Sequence, residues 1–217
     1  MKKNLLWPTE IYSFNSNTID NNKVKERILE KEKGESSRSI SNVGGWQSED
    51  TILEEEVFYE IKDFLFECVS SIKNELYIDD VDFLLAQSWA NVNRNGHYNI
   101  NHDHGGSQWS CAYYVTETYT APLYFIDPRV RIYMDNSNLF LKNKYYNTLG
   151  SEKSMPGEVI FFPSWLEHAV AKNSTDNPRI SISCNFLVGK SFVPRHGGLT
   201  RMLTDANPPA SFVREQK

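Results

Sequence analysis

The stretch Asn91–Val115 reads NVNRNGHYNINHDHGGSQWSCAYYV, and its centre is His102-Asp103-His104. On extended backbone, side chains alternate from face to face, so a His-x-His pair sends both imidazoles to one side. Two neutral imidazoles on one face make half of a first-row metal site. Working outward, Phe83 to Asn93 before the pair and Trp109 to Thr116 after it both read as strands. Trp89, Asn91 and Asn93 share one strand face, and so do Ser110, Ala112 and Tyr114.

A third candidate ligand is His168, where the apolar run Glu158 to Phe162 turns at Pro163-Ser164 and a further strand begins. Arg179 opens the strand after that and shares a face with Ser181. A planar guanidinium beside a hydroxyl suits a carboxylate, through paired charge-assisted bonds. An arginine facing into a small barrel is costly without such an anion.

The chain has 217 residues, of which 40% are apolar and 24% charged, which suits one globular domain and excludes wholesale disorder. Net charge is −5 with no strongly basic stretch, so no nucleic-acid partner is expected. No apolar run approaches the ~18 residues of a membrane span, and the N-terminus lacks the apolar core of a signal peptide. Three widely spaced cysteines, Cys68, Cys111 and Cys184, read as buried free thiols of a cytoplasmic protein.

The remaining elements follow from periodicity. Thr9 to Phe14 alternates as a short strand. A helix with Ile19, Val24, Ile28 and Leu29 follows, with Thr18 as its expected cap. Lys33 to Asn42 reads as a mobile Ser-rich loop. Ser48, ahead of Glu49 and Asp50, marks the start of a second helix reaching about Leu76. Further strands are expected at Pro122 to Asp127, Val130 to Met134, Lys144 to Leu149, Glu167 to Lys172 and Arg179 to Val188. The expected fold is mainly β: a sandwich or barrel, with the second helix packed across a sheet.

Taken together, Ser88-Trp89-Ala90-Asn91, His102-Asp103-His104, Ser110 to Val115, Asp127-Pro128-Arg129, Pro156 to His168 and Arg179 to Phe186 resemble the 2-oxoglutarate- and iron(II)-dependent oxygenases of marine bacteria and phages, distant relatives of prolyl hydroxylases. The resemblance implies a double-stranded β-helix, or jelly roll, with N-terminal helices on its major sheet. Residues 1–80 would supply the first strand and the helices, 81–189 the β-helix and 190–217 a tail, all within a single domain. It implies iron held by His102, His104 and His168. Arg179, Ser181 and Tyr114 would bind the far carboxylate of 2-oxoglutarate, with Asn91 and Asn185 lining the pocket. The implied reaction is hydroxylation of a C–H bond in a peptide side chain or small molecule, using O2 and converting 2-oxoglutarate to succinate.

One departure stands out: most such oxygenases carry His-x-Asp, and position 104 is histidine. Asp103 is the other candidate at that point, although on extended backbone it points away from His102. His97 and His196 read as solvated. Three rivals remain open at this level: a three-histidine cupin-type dioxygenase independent of 2-oxoglutarate, an inactive metal-binding relative, and a non-catalytic jelly-roll binding module. Exposed edge strands also leave room for pairing into a homodimer. The segment Asp135 to Lys144, with the Lys33 to Asn42 loop, is the candidate lid.

Overall fold

Three adjacent strands, each with one apolar face, decide the layering. They are β4 (Asp82–Asn93), β6 (Trp109–Tyr114) and β10 (Arg179–Gly189), which lie side by side and antiparallel. The computed structural model describes residues 8–78, 80–117, 121–128 and 154–190. β1 (Tyr12–Asn15) and β8 (Glu158–Pro163) extend the sheet beyond β6, and β3 (Trp46–Gln47) extends it beyond β4, giving the order β1-β8-β6-β10-β4-β3. A second sheet faces it, in the order β2 (Asn42–Val43), β5 (Tyr98–His102), β9 (His168–Val170), β7 (Leu123–Phe125). This is the mainly β jelly roll expected from the sequence.

Strict alternation gives the large sheet two jobs. Ile180, Ile182, Cys184 and Phe186 of β10 share a buried cluster with Cys111 and Tyr113 of β6 and Val159 and Phe161 of β8. Helix α2 (Tyr59–Leu76) completes that layer with Ile61, Leu65, Cys68, Val69 and Ile72, and α1 (Asn21–Gly34) adds Val24 and Ile28. The alternate residues Ala112, Tyr114, Ile160 and Phe162 belong to a second cluster, with Leu123, Phe125, Leu166 and Val170. Each fully buried Leu, Ile or Phe contributes about 1.5–3 kcal/mol, so a one-residue slip of any central strand would forfeit both layers.

Both helices begin later than the sequence suggests. Asp20, not Thr18, caps α1: its Oδ1 accepts from the backbone N–H groups of Asn22 and Lys23 at 3.1 and 3.2 Å. A carboxylate adjoining the first helical residue satisfies the free amides and the helix dipole together. Ser48 starts no helix, because β4 captures its segment. Ser48 Oγ accepts from Ala90 N at 2.9 Å, Asp50 O from Ser88 N at 2.8 Å, and Leu53 N donates to Ser88 Oγ at 3.1 Å. Two single 3-10 turns, Ile52–Glu54 and Glu56–Phe58, then lead into α2, which ends on Tyr77 at φ 55°.

The Lys33 to Asn42 segment is tied down by side-chain bonds. Asn42 Nδ2 donates to Arg38 O and Gly45 O at 3.0 and 2.6 Å, and Trp46 Nε1 donates to Glu35 O at 3.1 Å. The strands expected at 130–134 and 144–149, the lid segment 135–144, His196 and the tail beyond 190 lie outside the described residues. No described helix is long and apolar enough to cross a membrane.

Candidate functional site

The site sits between the sheets, and a bulge in β5 shapes it. His102 pairs with His168 and Asn99 with Val170, so β5 spends two intervening residues, Ile100 and Asn101, where β9 spends only Ala169. The extra residue turns both Asn99 and His102 inward, whereas regular alternation would place them on opposite faces. Ile100 is pushed outward, 49% exposed. His104 lies just past the end of β5, its backbone N–H donating to Ser164 O at 2.9 Å.

Ring centres are 4.3 Å apart for His102 and His168, 4.8 Å for His104 and His168, and 5.2 Å for His102 and His104. One ligand nitrogen from each ring lies within 4.8 Å of the others, the one such triad among the described residues. His102 Nδ1 donates to Ile100 O and His168 Nδ1 to Leu166 O, both at 2.8 Å. A carbonyl only accepts, so these rings carry their proton on Nδ1 and keep a lone pair on Nε2. His104 Nδ1 contacts two side chains, Asn185 Oδ1 at 2.7 Å and Ser110 Oγ at 2.8 Å.

Burial, then the proximity of His102, lowers the pKa of His104 to about 4 and that of His168 to about 3. Burial also lowers that of His102, with the Ile100 carbonyl and Asp103 opposing. All three rings are therefore neutral at pH 7, the form that binds metal. Three neutral imidazoles fit a divalent first-row ion such as Fe(II).

Arg179 reaches the same pocket from the large sheet. It is 3% exposed, with Nε donating to Ala121 O at 2.9 Å and Nη1 to Ser181 Oγ at 3.0 Å. The Tyr114 ring centre is 5.5 Å from the guanidinium carbon, and the phenol hydrogen-bonds it. No aspartate or glutamate pairs with Arg179 among the described residues. Burial pulls its pKa down, against the Tyr114 contribution. Leaving a cation buried without a counter-ion costs several kcal/mol.

Strand register aligns these groups in rows across the large sheet. Gln87, Asn185 and Ser110 form one row, Trp89, Ser183 and Ala112 the next, then Asn91, Ser181 and Tyr114, and finally Asn93 beside Arg179. The pocket is lined by the three histidines, Arg179, Ser181 and Asn91, and also by Ser41, Asn99 and Ser183. Asn91 Nδ2 donates to Ser183 Oγ at 3.3 Å. Asn185, expected to line the pocket, instead accepts from His104 and Ser110 and donates from Nδ2 to Gln87 Oε1 at 3.0 Å. Asp103 is exposed, and His97 accepts from Arg94 N in a turn at 3.2 Å. Ser41 and Asn99 had no signal of their own: one sits in a loop, the other on a face that only the bulge reveals.

Comparison with known proteins agrees with this layout. Residues 87–185 match the family model described as "Putative 2OG-Fe(II) oxygenase". No curated protein matches the chain by sequence. Among solved structures, the Trichoplax adhaerens prolyl hydroxylase in complex with a hypoxia inducible factor peptide is 13% identical, with a TM-score of 0.57 over 82% of this chain and 83% of that one. HygX from Streptomyces hygroscopicus, solved with nickel and 2-oxoglutarate, is 10% identical, with a TM-score of 0.55 over 85% and 84%. The Pseudomonas putida prolyl-4-hydroxylase is 11% identical, with a TM-score of 0.54 over 82% and 92%. At these identities the structures establish the shared fold. The matched segment 87–185 holds all three histidines and most of the arginine strand, and over that segment the chain is similar to the 2OG-Fe(II) oxygenases.

Proposed function

We propose that the protein hydroxylates a C–H bond of a peptide side chain or small molecule, with His102, His104 and His168 holding Fe(II). With Fe(II) bound, O2 and 2-oxoglutarate supply the oxidation: one oxygen atom goes to the substrate C–H and the other to succinate, with loss of carbon dioxide. Arg179, Ser181 and Tyr114 hold the far carboxylate of 2-oxoglutarate through charge-assisted and hydroxyl hydrogen bonds, which orients its other end toward the histidines. Asn91 steadies the middle of the pocket, and the apolar residues around Phe162 and Leu123 keep water away.

The observation that carries this reading is a buried guanidinium, without an acidic partner among the described residues, lining the same pocket as three neutral imidazoles. A pocket for metal alone has no use for the buried cation; a pocket for a metal-chelating dicarboxylate needs both. The test is an anaerobic Fe(II) titration with and without 2-oxoglutarate, followed by the charge-transfer absorbance of the chelate. The band should appear in the native protein, and His102→Ala and His168→Ala should abolish it. Iron binding with no response to 2-oxoglutarate would replace this reading with a dioxygenase independent of that cosubstrate.

A further inference from the structure

We infer that the Asp50 carboxylate fixes the tautomer of His104 through two side-chain amides, making Asp50 and Gln87 positioning residues for the metal centre. The backbone carbonyls of Ile100 and Leu166 fix the proton of His102 and His168. His104 has no such partner. Its Nδ1 meets Ser110 Oγ, which can donate or accept, and the Asn185 amide, which presents oxygen or nitrogen according to its orientation. The tautomer of His104 is thus decided by whatever orients Asn185.

Asn185 is oriented from outside. Its far end meets Gln87, directly opposite on β4, at 3.0 Å. Gln87 in turn meets Asp50 Oδ2 at 3.1 Å. A carboxylate only accepts, so Gln87 must turn Nε2 toward Asp50 and Oε1 toward Asn185. Asn185 must then give its Nδ2 to Gln87 and its Oδ1 to His104. His104 therefore carries hydrogen on Nδ1 and leaves Nε2 for the metal. Asp50 is itself held in place through its backbone, whose oxygen accepts from Ser88 N at 2.8 Å; the oxygen not used in the relay, Oδ1, pairs with Arg38. The donors all point outward from the imidazole, so their dipoles add and draw the influence of a carboxylate to a ligand set that has no charge of its own. Gln87 is exposed, and water competes at that link, which places the effect at the low end of the range for outer partners of metal ligands.

The test follows the ring nitrogens of His104 by 15N NMR in the metal-free full-length protein, alongside Co(II) affinity. The native protein should show the Nδ1–H pattern. Asp50→Asn offers either a donor or an acceptor to Gln87, so the Nε2–H form should appear and Co(II) affinity should fall by about tenfold. Gln87→Glu added to Asp50→Asn puts an acceptor directly against Asn185 and should restore both readouts. Arg38→Ala removes the ion pair but keeps the relay, and should leave the tautomer unchanged. The inference is overturned if Asp50→Asn keeps the native pattern, or if Arg38→Ala reproduces its effect. The affinity arm rests on the ligand assignment proposed above; the tautomer arm does not. A native protein that binds no Co(II), yet shows the tautomer response, would sink that assignment and uphold this inference.

Discussion

Asn99 and His102 face the same interior although two residues stand between them on one strand. The bulge that permits this has to be held from within, and Asn99 is its inner anchor. Its Oδ1 accepts from Asn93 Nδ2 at 2.8 Å and its Nδ2 donates to Ser41 Oγ at 3.1 Å, all three residues being buried. Asn99→Ala would leave the Asn93 amide without its acceptor in a place water does not easily reach. We expect a loss of about 1–3 kcal/mol in urea denaturation. An unchanged midpoint would mean that backbone pairing alone sets the bulge.

The relationship between Arg179 and its surroundings predicts a trade of stability for function. Arg179 is buried, carries its charge, and has no acidic partner among the described residues. Breaking a buried ion pair is destabilising, but replacing an unbalanced buried charge with an apolar chain of similar length removes a desolvation cost. Arg179→Met should therefore unfold at the same temperature as the native protein or higher. The same substitution should weaken 2-oxoglutarate binding by about 2–5 kcal/mol, a loss of roughly 30-fold or more. A large drop in melting temperature would show instead that Arg179 is chiefly a structural link to Ala121.

The parity of single strands was legible in the sequence. Ser110, Ala112 and Tyr114 do share a face, as do Arg179 and Ser181, because a period of two survives wherever a strand is regular. It was not legible at β5, where the bulge changes the parity between Asn99 and His102, and nothing in Asn99-Ile100-Asn101 announces it. Nor could Asn185 be told from a pocket residue. Its strand face was readable, but its hydrogen-bond partner His104 comes from a loop whose path depends on tertiary contacts. The late start of the second helix has a like cause: Ser48 and Asp50 carry the composition of a helix start, and β4 claims them for pairing.

Glu55 ties the turn before α2 to α1, which predicts an acid-sensitive component of stability. Its carboxylate takes Arg27 Nε at 2.8 Å and Lys31 Nζ at 2.6 Å. Burial alone would raise its pKa, but the hydrogen bonds from Arg27 and Lys31 outweigh it and the net shift is downward from 4.5. A carboxyl group with a lower pKa folded than unfolded binds fewer protons in the native state. Its contribution is complete above the unfolded value and disappears as pH falls through the folded one. The side chain is 33% exposed, so solvent screening limits the contribution to about 1 kcal/mol or less. Glu55→Gln should therefore be slightly less stable than the native protein at pH 7. In urea melts repeated at decreasing pH the gap should narrow below 4.5. A gap that stays constant down to the acid transition would mean that the glutamine keeps the same hydrogen bonds and that the charge contributes nothing.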